Sequence, residues 1–496
     1  MNTKIRIKIR IAAMVAAALS GLVAGNTSAQ NSFIEDFTGG TTANDWYYFN
    51  GACLTAGINA GTGATGVTPG KVPSCASIAN SYYAQQADGD PVLVGGFSGT
   101  LPDPIGNGAL RFTNGRPYGH QENGAIVSNR TFNAGDGVDI TFKTVTYLGD
   151  SGGAGGDGAD GLSFYLLDAT QPYETPGPGN TIWNGIGSWG GSLAYTCSNS
   201  NGPYDGVVGG YVGLGIDEFG NFLNGSTLEP GYIGARATGD NTALGYGYLP
   251  GRIGMRGAGS ISWAYLNSTD AADYPPGLTA AQRQAAVKAT CQTGTIWNYS
   301  APANPVNTGT AIADYAPIVG AYSVLPTTGP GAIQIANEAT TTRPDGINVQ
   351  NVFLYDLKIT QDGLLSLAYS ANGGAFSTVI SNQNITATNG ALPGLLRFGF
   401  AGSTGGDTNV HEILCFKAVP VAQSATSASG DEKQTSEVQT TSQAYFAFYN
   451  PNNWTGTVTA YPLQDTGGIL TLLPQANWDA QCVLTGTGAT GCAMRL

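Results

Sequence analysis

Apolar side chains recur at every second position in segment after segment of this chain, and a period of two marks strands with one buried face. At 138–142 the apolar set is Val138, Ile140 and Phe142; the phase then slips by one to Val145 and Tyr147, as a β-bulge would produce. Further strands are predicted at 162–167, 211–219, 353–360, 364–369, 395–401 and 411–418, with Gly, Asn and Pro clusters between them. So many strands with so little helical periodicity imply two packed sheets, an all-β sandwich. One stretch departs from the pattern. After Pro275, Pro276 and Gly277, residues 278–291 (LTAAQRQAAVKATC) are rich in helix formers and are predicted as a short helix. It lies in a long insertion, about 267–347, read as a packed excursion on the surface.

The first residues carry a different signal. Lys4, Arg6, Lys8 and Arg10 precede an apolar run, 11–23, and small residues ending in Thr27, Ser28 and Ala29. That order predicts a secretory signal peptide over 1–29, hence export to the cell surface or beyond. A retained anchor is the alternative, but the run is shorter than the ~20 apolar residues a bilayer core needs. No later segment is apolar over such a length. The formal net charge is -13 and becomes more negative once the basic leader is removed, so nucleic acid is excluded as a partner. Charged residues make up only 11 % of the chain against a usual ~25 %. Low charge with 74 glycines suits a turn-rich extracellular β protein, while 42 % hydrophobic residues and 24 tyrosines argue against disorder.

Export permits disulfides among the seven cysteines. Proximity suggests Cys53 with Cys75 and Cys482 with Cys492, and elimination then pairs Cys197 with Cys291. Cys415 is left over in the alternating segment HEILCF and is expected as a buried free thiol. Residues 421–443 shift to Ser, Thr, Gln, Glu and Lys and read as a linker. Residues 444–496 are again aromatic and β-like but few for a core of their own, so they are expected to begin a further, truncated β domain.

Three segments resemble the L-type (legume) lectins, in that family's order: GADGLSF at 158–164, GGYVGLGIDEFGNF at 209–222, and LLRFGFAGSTGGDTNVHEILCF at 395–416. The resemblance implies a concanavalin A-like jelly roll over 30–420, interrupted by the insertion. Within the second segment Asp217, Phe219 and Asn221 fall at alternate positions, so that at a strand end they point one way. A carboxylate, a backbone carbonyl and an amide oxygen are the hard ligands calcium takes. The resemblance assigns the side chains of Asp217 and Asn221 and the carbonyl of Phe219 to calcium; an Asp and an Asn that only close a Gly-rich turn are the alternative. Gly215 stands where the family has a Glu, and Arg252, Ile253 and Gly254 stand where it has a His, so no transition-metal site is expected beside the calcium. Asn224 and Glu229 are candidates for a further calcium ligand.

By the same resemblance a sugar sits over Asp160, an amide at or near Gly210, and Gly405 with Gly406, and the Ala159–Asp160 peptide bond is cis. Tyr211 or Phe222 is the candidate stacking face. His411 shares a face with Ile413 and Cys415 by alternation and is expected to be packed rather than a ligand. The stretch from 444 onward is similar to the segment that precedes the β-propeller of PilY-type adhesin and biogenesis proteins of type IV pili, at Trp454, Gly456, Ala460, Tyr461 and Trp478. Together these resemblances imply a calcium-dependent carbohydrate-binding adhesin module at a pilus tip. Its partners would be glycans of a host or neighbouring cell and type IV pilus components. The alternative is a structural pilus-assembly part that binds no sugar. Glycosidase activity is not expected, because Gly215 and Phe219 share the face of Asp217 while Glu218 points away, and no acid pair forms.

Overall fold

A computed structural model describes residues 32–79, 81–86, 92–150, 158–171, 185–223, 249–269, 274–299, 304–324, 340–345 and 351–421, with the short strands Leu463–Asp465 and Leu470–Leu472. The leader, the linker from 422 on, the Cys482 and Cys492 pairing, Asn224, Glu229 and the five pilus-like positions lie outside these residues. The chain divides into two units, Met1–Val419 and Pro420–Leu496. In the second, the described strands pair antiparallel.

The first unit opens with β1 (Phe33–Asp36), β2 (Trp46–Asn50), β3 (Cys53–Leu54), β4 (Leu110–Thr113), β5 (Asn123–Ser128) and β6 (Phe132–Asn133). There follow β7 (Val138–Tyr147), β8 (Gly161–Asp168), β9 (Gly210–Asp217), β10 (Arg252–Arg256), β11 (Thr295–Asn298), β12 (Val306–Ala311) and β13 (Pro317–Val324). The last are β14 (Val352–Ile359), β15 (Leu364–Ala371), β16 (Phe376–Asn384), β17 (Leu395–Ser403) and β18 (Val410–Val419). They build two antiparallel sheets of eight strands. The first runs β16-β15-β14-β7-β18-β4-β3 with β1 beside β18; the second runs β13-β10-β9-β8-β17-β5-β2 with β6 beside β17. This is the all-β sandwich that the alternation predicts.

The apolar faces meet between the sheets. On β7 and β14, Val138, Ile140 and Phe142 lie opposite Ile359, Leu357 and Tyr355. Phe142 stacks on Tyr355 at 5.0 Å and reaches across to Phe164 of β8 at 5.2 Å and Phe400 of β17 at 5.4 Å. Burying one such ring contributes roughly 1.5–3 kcal/mol.

Four expectations change in the structure. First, β7 pairs with β14 without a break from Val138 to Val145, so no bulge explains the phase slip. Val145 and Tyr147 face outward, into a smaller cluster with Leu148, Val352 and Val410. The bulge is on β18, where Ile413 faces Thr144 and Cys415 faces Lys143, which leaves Leu414 over. Second, Cys415 is therefore turned off the face of His411 and Ile413 and is half-buried; burial still pushes its thiol up to about 11. Third, β8 and β9 are buried along nearly their whole length, not on one face only. Tyr165, Leu167, Tyr195 and Phe222 form a second core on the outer side of the second sheet.

Fourth, the insertion is more than a surface excursion. It supplies β13, an edge strand paired with β10, and two helices, α1 (Trp263–Thr269) at its start and α2 (Ala280–Thr293). Thr279 caps α2 in a reciprocal box with Gln282, and Gly294 ends it in the left-handed region at φ 64°. Ala286, Val287 and Cys291 of α2 enter the outer core, and a disulfide joins Cys291 to Cys197. Cys53 and Cys75 are also bonded. Among the described residues no helix is long and apolar enough to cross a membrane.

Candidate functional site

One end of the second sheet gathers most of the residues singled out from the sequence. Gly161 of β8 pairs with Asp217 of β9 on one side and Ser403 of β17 on the other, and Ser403 in turn faces Asn123 of β5. Loops leaving these strand ends are thus forced together.

Asp160 immediately precedes β8, and its peptide bond with Ala159 is cis. The Asp160 amide donates to Ser403 O at 2.8 Å, while its carbonyl accepts from the amides of Glu218 at 3.0 Å and Phe219 at 3.2 Å. Its side chain is buried, and Oδ2 has no hydrogen-bond partner among the described residues. Gly405 closes over it. A Cβ built on Gly405 would stand 2.7 Å from Asp160 Oδ2 and 3.8 Å from the Cα of Gly190, so a larger residue would crowd the carboxylate. Gly406 beside it has open space on its Cβ side.

Asp217 is held by the turn that follows it. Its Oδ1 accepts from the amides of Gly220 at 2.8 Å and Asn221 at 3.2 Å, and its Oδ2 from Phe222 at 2.7 Å. Asn221 Oδ1 is buried without a partner among the described residues, and a Cβ on Gly191 would sit 1.9 Å from it. The 185–193 loop therefore packs on both halves of the site, Gly190 near Asp160 and Gly191 on Asn221.

Negative charge is disfavoured here. Burial, then Asp217, Asp407 and Glu218, raise the Asp160 carboxyl well above the usual range. Burial pushes Asp217 up to about 7, against the pull of Arg252 and the three turn amides. A bound cation would relieve both. The donors present, two carboxylates and an amide oxygen, have calcium chemistry. Even so, among the described residues no group of three or more His, Cys, Asp or Glu is placed to hold a metal ion.

Glu218 points to the opposite side, as alternation requires, and anchors the site from behind. It accepts from Thr146 Oγ1 at 2.8 Å and Asn409 Nδ2 at 2.6 Å, and lies 3.0 Å from His411 Nε2. His411 is fully buried with Nδ1 2.7 Å from Thr113 Oγ1, a packed histidine.

Three expected sugar contacts lie elsewhere. Gly210 and Tyr211 sit at the far end of β9, seven residues or ~23 Å along the strand from Asp217. Tyr211 is in the inter-sheet core, donating to Gly390 O at 3.1 Å. Phe222 is fully buried in the outer core with Arg256 5.6 Å from its ring, so neither ring offers a stacking face. The glycine brought to Asp160 beside Gly405 is Gly190, with Gly191 next to it on Asn221, and half-buried Trp189 directly precedes the pair. Its signal in the sequence is the double glycine of SWGGS at 188–192, one of several such pairs and in no alternating segment.

The sequence matches no protein-family model and no curated protein sequence. Among solved structures the fold is similar to the lectin from Bauhinia forficata in complex with GalNAc, at 11 % identity, 78 % of this chain, 97 % of that chain and a TM-score of 0.35. Lectin I-B4 from Griffonia simplicifolia, metal-free form, is similar at 12 % identity, 62 % of this chain, 86 % of that chain and a TM-score of 0.32. The exoplasmic/lumenal domain of VIP36, Ca2+/Man-bound, is similar at 10 % identity, 63 % of this chain, 78 % of that chain and a TM-score of 0.29. Likenesses this remote carry no weight for ligand or activity.

Proposed function

We propose that the first unit is a glycan-binding adhesion module of an exported protein, with its sugar seated at Asp160, Gly190 and Gly405 and with calcium on Asp217 and Asn221. The observation that carries this reading is the unpartnered Oδ2 of Asp160, buried under glycines from two different loops. A buried acceptor left unmatched costs about 1–3 kcal/mol, and a sugar hydroxyl or an ordered water would supply the missing donor. Calcium would offset the crowding of Asp160, Asp217 and Asp407; it would be held by the Asp217 carboxylate and the Asn221 amide oxygen, with the Phe219 carbonyl as third ligand. In this reading the linker and the C-terminal stretch attach the module to a pilus tip, where its partners are cell-surface glycans and pilus components.

A structural pilus-assembly part that binds no sugar is the second reading. It is favoured by Asp217, whose two oxygens already accept three turn amides. A glycan array probed in calcium and in chelator separates the two. The binding reading expects calcium-dependent capture of a set of glycans, lost in Asp160→Asn at an unchanged melting temperature. Retention of no glycan in calcium, or equal capture by Asp160→Asn, would overturn it.

A further inference from the structure

Beside the Asp160 site, on the β5 and β2 side of the same sheet end, lies a cavity of about 410 Å³. That is within the range of small-ligand pockets, ~300–1,000 Å³. We infer that this cavity is a second subsite, for a neutral sugar residue of an oligosaccharide whose first residue occupies the Asp160 site. The inference rests on the glycan-binding reading and extends it to the class of ligand.

The lining carries the argument. Asn50 and Asn123 come from strand ends, Gln85 and Gln86 from a short helical turn, and Gln121 from the loop before β5. A carboxamide carries two donor hydrogens and an acceptor oxygen, the match of sugar hydroxyls. Asn123 spends part of that capacity accepting from Asn50 Nδ2 at 2.7 Å and donating to Gly187 O at 2.9 Å, and Gln86 Nε2 donates to Tyr82 O at 3.3 Å, which fixes these groups around the cavity. Trp189 and Tyr82 add aromatic surface, and Gly202 and Pro203 complete the wall. No lining side chain carries a formal charge. An anionic sugar would find no cation there, and the Glu122 carboxylate nearby already disfavours negative charge, since after burial it is the largest cause raising the Tyr82 hydroxyl.

The pocket is built before any ligand arrives. Tyr82 Oη donates to Asn123 O at 2.9 Å and Tyr83 Oη to Gly51 O at 2.9 Å, and the Cys53–Cys75 disulfide ties the excursion that bears them to β3. Gln121 holds a φ of 58°, a region that residues other than Gly and Asn visit chiefly where surroundings impose it. The pocket and the Asp160 site also share a wall. The Gln121 amide donates to Gly405 O at 3.0 Å, and Trp189 directly precedes Gly190. From β8 to β5 is two strand spacings, ~10 Å, within reach of one short oligosaccharide.

The test uses the full mature chain and titration calorimetry in calcium. Its probes are neutral monosaccharides, their di- to tetrasaccharides, and sialylated counterparts. Wild type is expected to gain at least about tenfold in affinity from mono- to oligosaccharide. A Gln85→Ala, Gln86→Ala double variant should lose most of that gain at an unchanged melting temperature, while its monosaccharide affinity stays within about twofold. Asp160→Asn should weaken both. Equal affinity for mono- and oligosaccharides, a double variant that keeps the gain, or tighter binding of sialylated glycans would overturn the subsite and leave the Asp160 reading standing. Failure of wild type to bind any sugar would overturn both.

Discussion

Gly191 illustrates how much of the site depends on single atoms. A methyl group at this position would meet Asn221 Oδ1 at 1.9 Å, and both residues are buried. Gly191→Ala should therefore displace Asn221; if calcium binds as proposed, the variant should show a smaller rise in melting temperature on adding calcium than the wild type, and an equal rise would show that Asn221 is not a ligand. A second residue-scale effect lies under the insertion. Burial raises Asp314 to about 6 against the pull of the Ser260 amide, and Asp205 to about 6 against the Trp263 amide. Folded Asp314 keeps its proton to about pH 6, whereas the unfolded chain releases it near 3.8. Stability is therefore greatest below the unfolded value and falls as pH rises through this window, by on the order of 1–3 kcal/mol per group, after which the loss is constant. Asp314→Asn keeps an acceptor for Ser260. It should raise the melting temperature at pH 7 and make no difference near pH 4; an increment equal at every pH would refute the assignment.

Helix α2 shows the same dependence at the level of an element. Its cap and its terminal glycine are local, but it has too little apolar surface to hold itself in place. Only Ala286, Val287, Thr290 and Cys291 of it are buried. What docks it is the bond from Cys291 to Cys197 in the loop that runs on from Trp189 and Gly190, a closure of 94 residues. A crosslink of that span contributes ~4–5 kcal/mol by chain entropy. Replacing both cysteines with Ser should lower the denaturant midpoint accordingly; it should also loosen the loop that supplies Gly190 and Gly191. An unchanged midpoint would mean that the outer core holds α2 without the bond.

At the scale of the whole first unit, residues far apart in the chain converge on one buried charge. Glu412 of β18 accepts from Arg111 of β4 at 2.8 Å and from Arg343, just before β14, at 2.5 Å, and Arg343 also reaches Asp103 at 2.7 Å. Burial alone would raise the Glu412 carboxyl, but Arg343 and Arg111 together hold it below the usual range. Arg343→Ala leaves Asp103 buried without that cation and Glu412 with one arginine instead of two, which should cost about 3–5 kcal/mol. Chemical denaturation would measure it, and a loss below ~1 kcal/mol would mean that the second cation adds little.

Much of this was legible in the chain. Alternation in 353–360 and 364–369 located β14 and β15, since a strand buried on one face must repeat every two residues whatever surrounds it. The resemblance of the three motifs to the L-type lectins implied that Asp160, Asp217 and Gly405 share one site, and antiparallel pairing of β8 with β9 and β17 does bring those strand termini to one sheet end. Gly210, Tyr211 and Phe222 were misplaced for the complementary reason. Sequence distance along β9 says nothing about which end of a strand meets which loop, and Tyr and Phe serve equally as core or as binding face. Likewise, nothing local distinguishes Gly190 and Gly191 from any other loop glycines, or marks Arg343 as the partner of Glu412. The sequence by itself determined seven of the strands, the helix α2 and the Cys53–Cys75 pairing, all set by interactions a few residues to a few turns long. The tertiary structure alone decided the second core outside β8 and β9, the bulge at Leu414, and the amide-lined cavity, since each depends on packing between segments that only the folded sandwich brings into contact.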